Sequence, residues 1–530
     1  MNAYDSFEVF KQKSHVPNLE EECLPLRLMY RQRQLKIDAD GSEIVRFFNG
    51  KHVLVTGGTG FLGKLLIEKL CRACEEIYVY VLVRPKRGQE FTTRLDDIFK
   101  DPLYQPLSEI RPKFQQNIYP VRGDISLPGL GIEKEERCSL AKKINVIFHV
   151  AATTKFDEHI SLATAINVRG TAEILELARE CEHLEALTHV STAYSNCNRK
   201  DIDEVFYEPP VNPEKLMELV ERTPNNVLDK MLPELLGKWP NTYSMTKAVA
   251  EDLIKRKSQG IPTCLYRPSI VVGTYEEPHV GWVDNMFGPT GVVVGVGCGL
   301  IRVGCCHKDK TAELVPADYV TNALIAATYK TAVERSDDIK VYNYVSGPEN
   351  KLTWGQYMDW TSEQGYHIFP MRSVWYYSLT LVKSLFMFNL LSFFLHYVPA
   401  FFVDIGLRLS GKKLRLTKIY NKIQKFMQVI AYFARQNWNY SNKNTQDLWL
   451  SLNEKDQKAF PFSMKMVDWR KHCLASVCGL RIFLLKEGWD NLPEARKRCW
   501  RYFILHNVVK FTLYGIFLRI LYGVFTSILY

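Results

Sequence analysis

This 530-residue sequence predicts a doubly wound parallel α/β fold with a mainly helical second part and an apolar C-terminal segment. Three observations lead there. Short, apolar, β-branched runs alternate with amphipathic stretches between about residues 48 and 350. A glycine-rich turn joins the first of those runs to the first helical stretch. After Gly347-Pro348 the texture changes, becoming aromatic, basic and helical.

In chain order, residues 1–47 form an N-terminal extension. It alternates acidic (Glu20, Glu21, Glu22) and basic (Arg27, Arg31, Arg33) stretches, shows little strand signal and is assigned no function. Its start, MNAYDSFEVFKQKS, has no apolar h-region, so no signal peptide is expected. The domain at 48–350 opens with a strand at HVLVT (52–56) and a helix at LLIEKLCRAC (65–74). Further strands are expected at YVYVLV (78–83), VIFHVA (146–151), LTHVST (187–192) and CLYRPSIVVG (264–273), with a helix at TAEILELAREC (171–181). Residues 351–500 read as a helical domain. Within it the dense apolar run 374–405 is broken by Lys383, Asn389, His396 and Pro399, which suits an amphipathic or acyl-channel-forming region better than a clean span. Residues 503–530 are long and apolar enough for a membrane anchor; a crossing takes about 20 residues.

The net charge is +10. No arginine-rich run or zinc-finger spacing accompanies it, so anionic lipid or an anionic substrate ranks ahead of nucleic acid. The 13 cysteines are scattered and odd in number, unlike a secreted disulfide framework. Cys71 and Cys74 form a CxxC inside the first helix, with no second pair. They read as ordinary helix positions, as do Cys305, Cys306 and His307, and no metal site is expected.

The turn VTGGTGFLGK (55–64) carries the first chemistry. Gly58, Gly60 and Gly63 fit G-x-G-x-x-G, and Gly57 extends the pattern. One glycine makes the tight turn, one lets backbone approach a pyrophosphate and one lets helix pack on strand, while the helix N-terminus offers N–H groups to the phosphates. Thr56, Gly57, Gly58, Thr59, Gly60, Phe61, Leu62 and Gly63 are the expected dinucleotide loop of a Rossmann domain. The next strand ends VLVRPKRG (81–88), with Arg84, Lys86 and Arg87 where an NAD enzyme carries an acid. A cationic cluster there suits a 2′-phosphate, so the expected cofactor is NADPH. Ala151 and Ala152, at a strand end, are small enough to let backbone approach it.

The reactive centre is read from YSMTK (243–247). On a helix, Tyr243 and Lys247 share a face. The lysine is expected to lower the phenol's pKa and hold the nicotinamide ribose, and the phenol to protonate a carbonyl oxygen. A hydroxyl at the strand end HVSTAYSN (189–196) would orient that carbonyl, Thr192 first and Ser191 second.

TGGTGFLGK, HVSTAYSN, NTYSMTK and YRPSIVVG resemble the extended short-chain dehydrogenase/reductases. YVLVRPKRGQ, NRKDIDEVFYEPP (198–210), GWVDNMFGP (281–289), LVPADYV (314–320), LRLSGKKLRLTKIYNKI (407–423), NWNYSNKNTQDLW (437–449) and the VDWRKHC…GLRIFLLKE run (467–487) are similar to fatty acyl-CoA reductases. The resemblance implies an adenine contact at Asp124 and a cofactor contact at Pro268. It also implies reduction of a long-chain acyl-CoA to a primary alcohol with two NADPH, through an aldehyde. A hydroxysteroid dehydrogenase or nucleotide-sugar epimerase would share the loop and the Tyr–Lys pair but not residues 406–490. A catalytically silent lipid-binding protein would not need Tyr243 and Lys247. RKRCWR (496–501) ahead of the apolar segment places the catalytic part on the cytosolic face of a membrane. The endoplasmic reticulum is preferred to the peroxisomal membrane. Oligomeric state is not legible.

Overall fold

The computed structural model describes residues 40–85, 91–365, 367–411 and 415–529. Thirteen strands occur among them: β1 His52–Thr56, β2 Tyr78–Val83, β3 Ile118–Arg122, β4 Val146–His149, β5 Ala186–Val190, β6 Asp201–Ile202, β7 Thr263–Pro268, β8 Ile270–Val272, β9 Val303–Cys305, β10 Leu314–Pro316, β11 Lys340–Tyr344, β12 Thr380–Val382 and β13 Asn439–Tyr440. Seven of them build one sheet in the order β11-β7-β5-β4-β1-β2-β3, every pair parallel. The order reverses between β1 and β4, and ligands of such sheets bind at that switch point, beyond the strands' carboxyl ends. The glycine turn leaves β1 there and enters the helix Phe61–Ala73.

The central strands were legible because both their faces are buried; Val53, Leu54, Val55, Val146, Ile147 and Phe148 are all in the core. The edge strands β3 and β11 were not. IYPVR carries a proline, which only an edge strand tolerates, and KVYNY carries a buried Asn343. The expected run 264–273 is two strands. Pro268 closes β7, and β8 turns away to pair with β10.

The helix Glu43–Phe48 runs through the expected boundary at 47/48. Ile44, Val45 and Phe48 are in the main core, each burial contributing about 1.5–3 kcal/mol. Its N-cap Ser42 accepts the Val45 N–H at 3.1 Å, and Asp456 accepts the Ile44 N–H at 3.2 Å. The second part of the chain is joined to the first in the same way elsewhere. β12 extends β9 and β13 extends β6, both parallel.

Cys71 and Cys74 are buried, and burial pushes the Cys74 thiol up to about 12. Two helices, Leu385–Leu409 and Leu492–Ile528, are long and apolar enough to cross a membrane. Both leave most of their large apolar side chains exposed.

Candidate active site

The glycine loop packs against the loop after β4. Gly57 has φ +74°, and a side chain there would meet the Ala151 backbone at 2.8 Å; one at Gly63 would collide with the Gly57 carbonyl. Gly60 donates its N–H to that carbonyl at 2.9 Å, and no side chain caps the helix that follows. The loop's first helical N–H groups therefore face outward with the positive end of the helix dipole. Thr56 is held from below by a buried relay. Its hydroxyl bonds His149 Nδ1 at 2.8 Å and accepts the Ala151 N–H at 3.2 Å, and His149 Nε2 lies 3.1 Å from the Thr171 hydroxyl, which donates to the Asn167 carbonyl. Burial pushes His149 down to about 3, so the relay is uncharged. Phe61 stacks on Trp282 with centroids 5.3 Å apart, and Leu62 packs against the core. Thr153, next to Ala152, donates its N–H to Asn167, whose amide reaches Thr246 on the helix Thr242–Lys257.

Arg84 sits at the end of β2, 57% exposed, with Nε 4.0 Å from Asp124 Oδ2. The other Asp124 oxygen accepts the Ser126 N–H and hydroxyl at 3.0 and 2.8 Å, which fixes the carboxylate beside Arg84. Lys86 and Arg87 lie outside the described residues. A second arginine, which the sequence reading missed, lies beside Arg84. Arg94 donates to the Arg84 carbonyl at 2.8 Å and to Thr59 of the glycine loop at 3.4 Å. Burial and then the Arg84 charge lower its pKa, so two guanidinium groups face the same small region.

Tyr243 and Lys247 lie on the helix Thr242–Lys257. Asn241 caps it by accepting the Ser244 N–H at 2.9 Å, and Thr242 ties its start to the carbonyls of Phe156 and Glu158. Lys247 is 2% exposed and donates to the Val190 carbonyl at 2.7 Å, at the end of β5. Burial lowers it to about 8, against the pull of Glu251 one turn along. Burial pushes the Tyr243 phenol up to about 12, opposed by hydrogen bonding from Thr192. The sequence predicts a phenol lowered by Lys247. The structure differs because the ammonium is drawn to the Val190 carbonyl, leaving burial and Thr192 to set the phenol.

Thr192 and Ser191, adjacent in sequence, face different partners. Thr192 bears on Tyr243 and accepts the Tyr194 N–H at 3.2 Å. Ser191 donates to Glu251. Glu251 pairs with the fully buried Arg267 at 2.7 Å, and Arg267 also holds the Asp203 and Val205 carbonyls. Pro268, next along β7, accepts the Ala193 N–H at 2.9 Å. Glu251 could have been found from its place four residues after Lys247, on the same helical face. Its partner in β7 could not.

The residues after Thr192 are clamped from the second half of the chain. Tyr440 donates to the Ala193 carbonyl at 3.2 Å and Trp438 to the Cys197 carbonyl at 3.0 Å. Phe433 stacks on Phe156 with centroids 5.4 Å apart, and Phe156 lies edge-on to Tyr243 at 5.6 Å. An apolar aromatic wall therefore stands beside the phenol, built from both halves.

A glycine loop at the switch point of a seven-stranded parallel sheet, with Tyr243 and Thr192 hydrogen-bonded past the end of β5, defines the class: nicotinamide-dependent reductases on extended Rossmann folds. The family profile described as "Male sterility protein", in its NAD-binding form, matches residues 55–324, and a second of the same description matches 395–487. Fatty acyl-CoA reductase wat of Drosophila melanogaster is 39% identical, covering 90% of this chain and 92% of its own length. Fatty acyl-CoA reductase 2 of Bos taurus is 35% identical, covering 90% and 93%. The reductase domain of a nonribosomal peptide synthetase from Mycobacterium tuberculosis shares the fold, with TM-score 0.54 at 18% identity over 82% of this chain and 92% of that one. The chain belongs to the fatty acyl-CoA reductase family, as the sequence resemblance implied.

Proposed function

We propose that this protein reduces long-chain fatty acyl-CoA to a primary alcohol, through an aldehyde, with NADPH as reductant, on the cytosolic face of a membrane. The observation that carries it is the meeting of Tyr243, Thr192 and Lys247 with an apolar wall of Phe156 and Phe433, in a chain whose curated relatives are named fatty acyl-CoA reductases. The cleft fits a dinucleotide: a side chain at Gly57 or Gly63 would fill the cradle, and the helix behind it starts uncapped. Thr56 to Gly63 would hold the pyrophosphate, Asp124 the adenine, Ala151, Ala152 and Pro268 the nicotinamide half, and Lys247 its ribose. Arg84 and Arg94 would take the 2′-phosphate, which favours NADPH over NADH. When bound, the cofactor supplies hydride.

The chain's own groups do the rest. Thr192 and Tyr243 hydrogen-bond the thioester oxygen and stabilise the negative charge that develops there. Tyr243, a phenol that burial pushes further up to about 12, keeps its proton at neutral pH and has one to give to that oxygen. Collapse of the resulting hemithioacetal returns the hydroxyl proton to Tyr243, releases CoA thiolate and leaves the aldehyde against the same pair; with the second hydride that a second NADPH would supply, Tyr243 protonates the new oxyanion to give the alcohol. Phe156 and Phe433 keep water from the reacting carbon and offer apolar surface to the chain. The basic run 496–501, in the first turns of the C-terminal helix and ahead of its exposed apolar stretch, supports the cytosolic placement.

The test is purified full-length protein in detergent, supplied with acyl-CoAs of several chain lengths and either NADPH or NADH, with products read by mass. Alcohol formed from long-chain acyl-CoA with NADPH is the expected result. No reduction of any acyl-CoA would overturn the reading, and accumulation of aldehyde alone would remove the second step.

A further inference from the structure

The helix Leu385–Leu409 is folded inside out. Phe388, Ser392, His396 and Ala400, spaced four apart, are its buried stripe. The opposite faces expose Phe386, Phe393, Phe394, Phe401, Phe402 and Leu409. Exposed apolar surface this continuous marks a binding face.

Its two ends say what covers it. Before it, β12 is paired to β9 of the catalytic body. After it, Asp404 accepts the N–H groups of Leu416 and Thr417 at 2.6 and 3.1 Å and so starts the return helix Leu416–Ala434. That return helix exposes Lys418, Lys422 and Lys425 and ends at Phe433, on the wall beside Tyr243. A full crossing by 385–409 would force those lysines back through the bilayer, where a charged side chain is costly to hold. An apolar helix with a basic companion lies in the membrane surface instead.

The same helix leaves the body where the C-terminal helix does. The Arg302 N–H donates to His396 Nε2 at 3.0 Å, and its guanidinium lies 5.4 Å over the Trp375 ring. Trp375 donates to His506 Nδ1 at 3.1 Å, just before the fully exposed stretch of the C-terminal helix. We propose that Leu385–Leu409 is a second membrane element, lying in the headgroup boundary of the bilayer that the C-terminal helix enters. Its phenylalanines point into the acyl layer, and Lys418, Lys422 and Lys425 meet anionic headgroups. It rests on the membrane placement given above.

The test uses full-length protein in vesicles of phosphatidylcholine and phosphatidylserine. The photo-crosslinker p-benzoylphenylalanine is placed in turn at Phe394, Phe402, Phe517 of the C-terminal helix and Val333, an exposed position on the catalytic domain; retained NADPH binding shows that each variant is folded. Lipid adducts are expected at 394, 402 and 517 and not at 333. Omitting phosphatidylserine should reduce the adducts at 394 and 402 several-fold and leave 517 unchanged; no reduction would overturn the role of the lysines. Adducts at 517 with none at 394 or 402 would overturn this proposal and leave the C-terminal anchor standing. Crosslinks from 394 or 402 to a second protein chain would make the face a protein interface and overturn it too. No lipid adduct at any position would overturn the membrane placement itself.

Discussion

The helix Thr242–Lys257 and the helix Leu385–Leu409 handle burial in opposite ways. The first takes a lysine, a glutamate and an aspartate into the interior, with Lys247, Glu251 and Asp252 all buried. The second keeps a serine and a histidine inside beside Phe388 and Ala400, and leaves eleven large apolar side chains out. Charge is costly to bury and apolar surface costly to expose, so each helix needs a compensating partner. For the first the partner is internal: Arg267 meets Glu251, and the Val190 carbonyl meets Lys247. For the second no covering element exists among the described residues, which is why a lipid surface enters the account. Polar groups inside and apolar groups outside both mark the places where function is proposed, one for reduction and one for attachment.

The largest expected effect lies in the first helix. Tyr243→Phe should lower kcat by about 10²–10⁴ and leave NADPH binding nearly intact, because the phenol acts on the transition state. Near-normal turnover would remove the acid and the meaning of its burial. Glu251→Ala leaves Arg267 buried without its carboxylate and Ser191 without its acceptor. A loss of about 3–5 kcal/mol in stability is expected from chemical denaturation. A change under 1 kcal/mol would show that the pair is not the compensation claimed for this helix.

Arg94→Ala should weaken NADPH binding by about ten- to a hundredfold, the worth of charge-assisted hydrogen bonds to a phosphate, and barely change NADH binding. Arg84→Asp should act in the same direction and more strongly. Equal losses for both cofactors in binding assays would make the arginines structural. A pH effect of about tenfold per unit should follow from Lys247. Its pKa near 8 lies below the ordinary lysine value, so it is charged at pH 7 and neutral well above 8. His149 and His189, facing it from β4 and β5, are held neutral by burial, and only Glu251 opposes the shift. NADPH affinity should therefore fall as pH rises through about 8, and Lys247→Arg should move that fall upward. The smallest effect belongs to the second helix. In detergent, Phe394→Ser should change stability by no more than about 0.5 kcal/mol and leave kcat unchanged, as for an exposed position. A core-sized loss would mean that this face is packed after all.

What the sequence determined by itself is local. The glycine loop, the Tyr–Lys pair and the strand-end hydroxyls are each set within a few consecutive residues, because backbone approach and a helical repeat demand particular residues at fixed spacing. The central strands were legible for the same reason, being apolar on both faces. The sequence ranked Thr192 ahead of Ser191, but only the tertiary structure gave the reason, since Glu251 claims Ser191 and Thr192 is left to face the phenol. It brought Arg94 to the glycine loop across 35 residues and Phe433 to Phe156 across nearly three hundred. It also decided which face of the run 374–405 is inward, a question its near-uniform apolar composition leaves open. Contacts between distant segments depend on how helices and strands pack, and neither spacing nor composition records that.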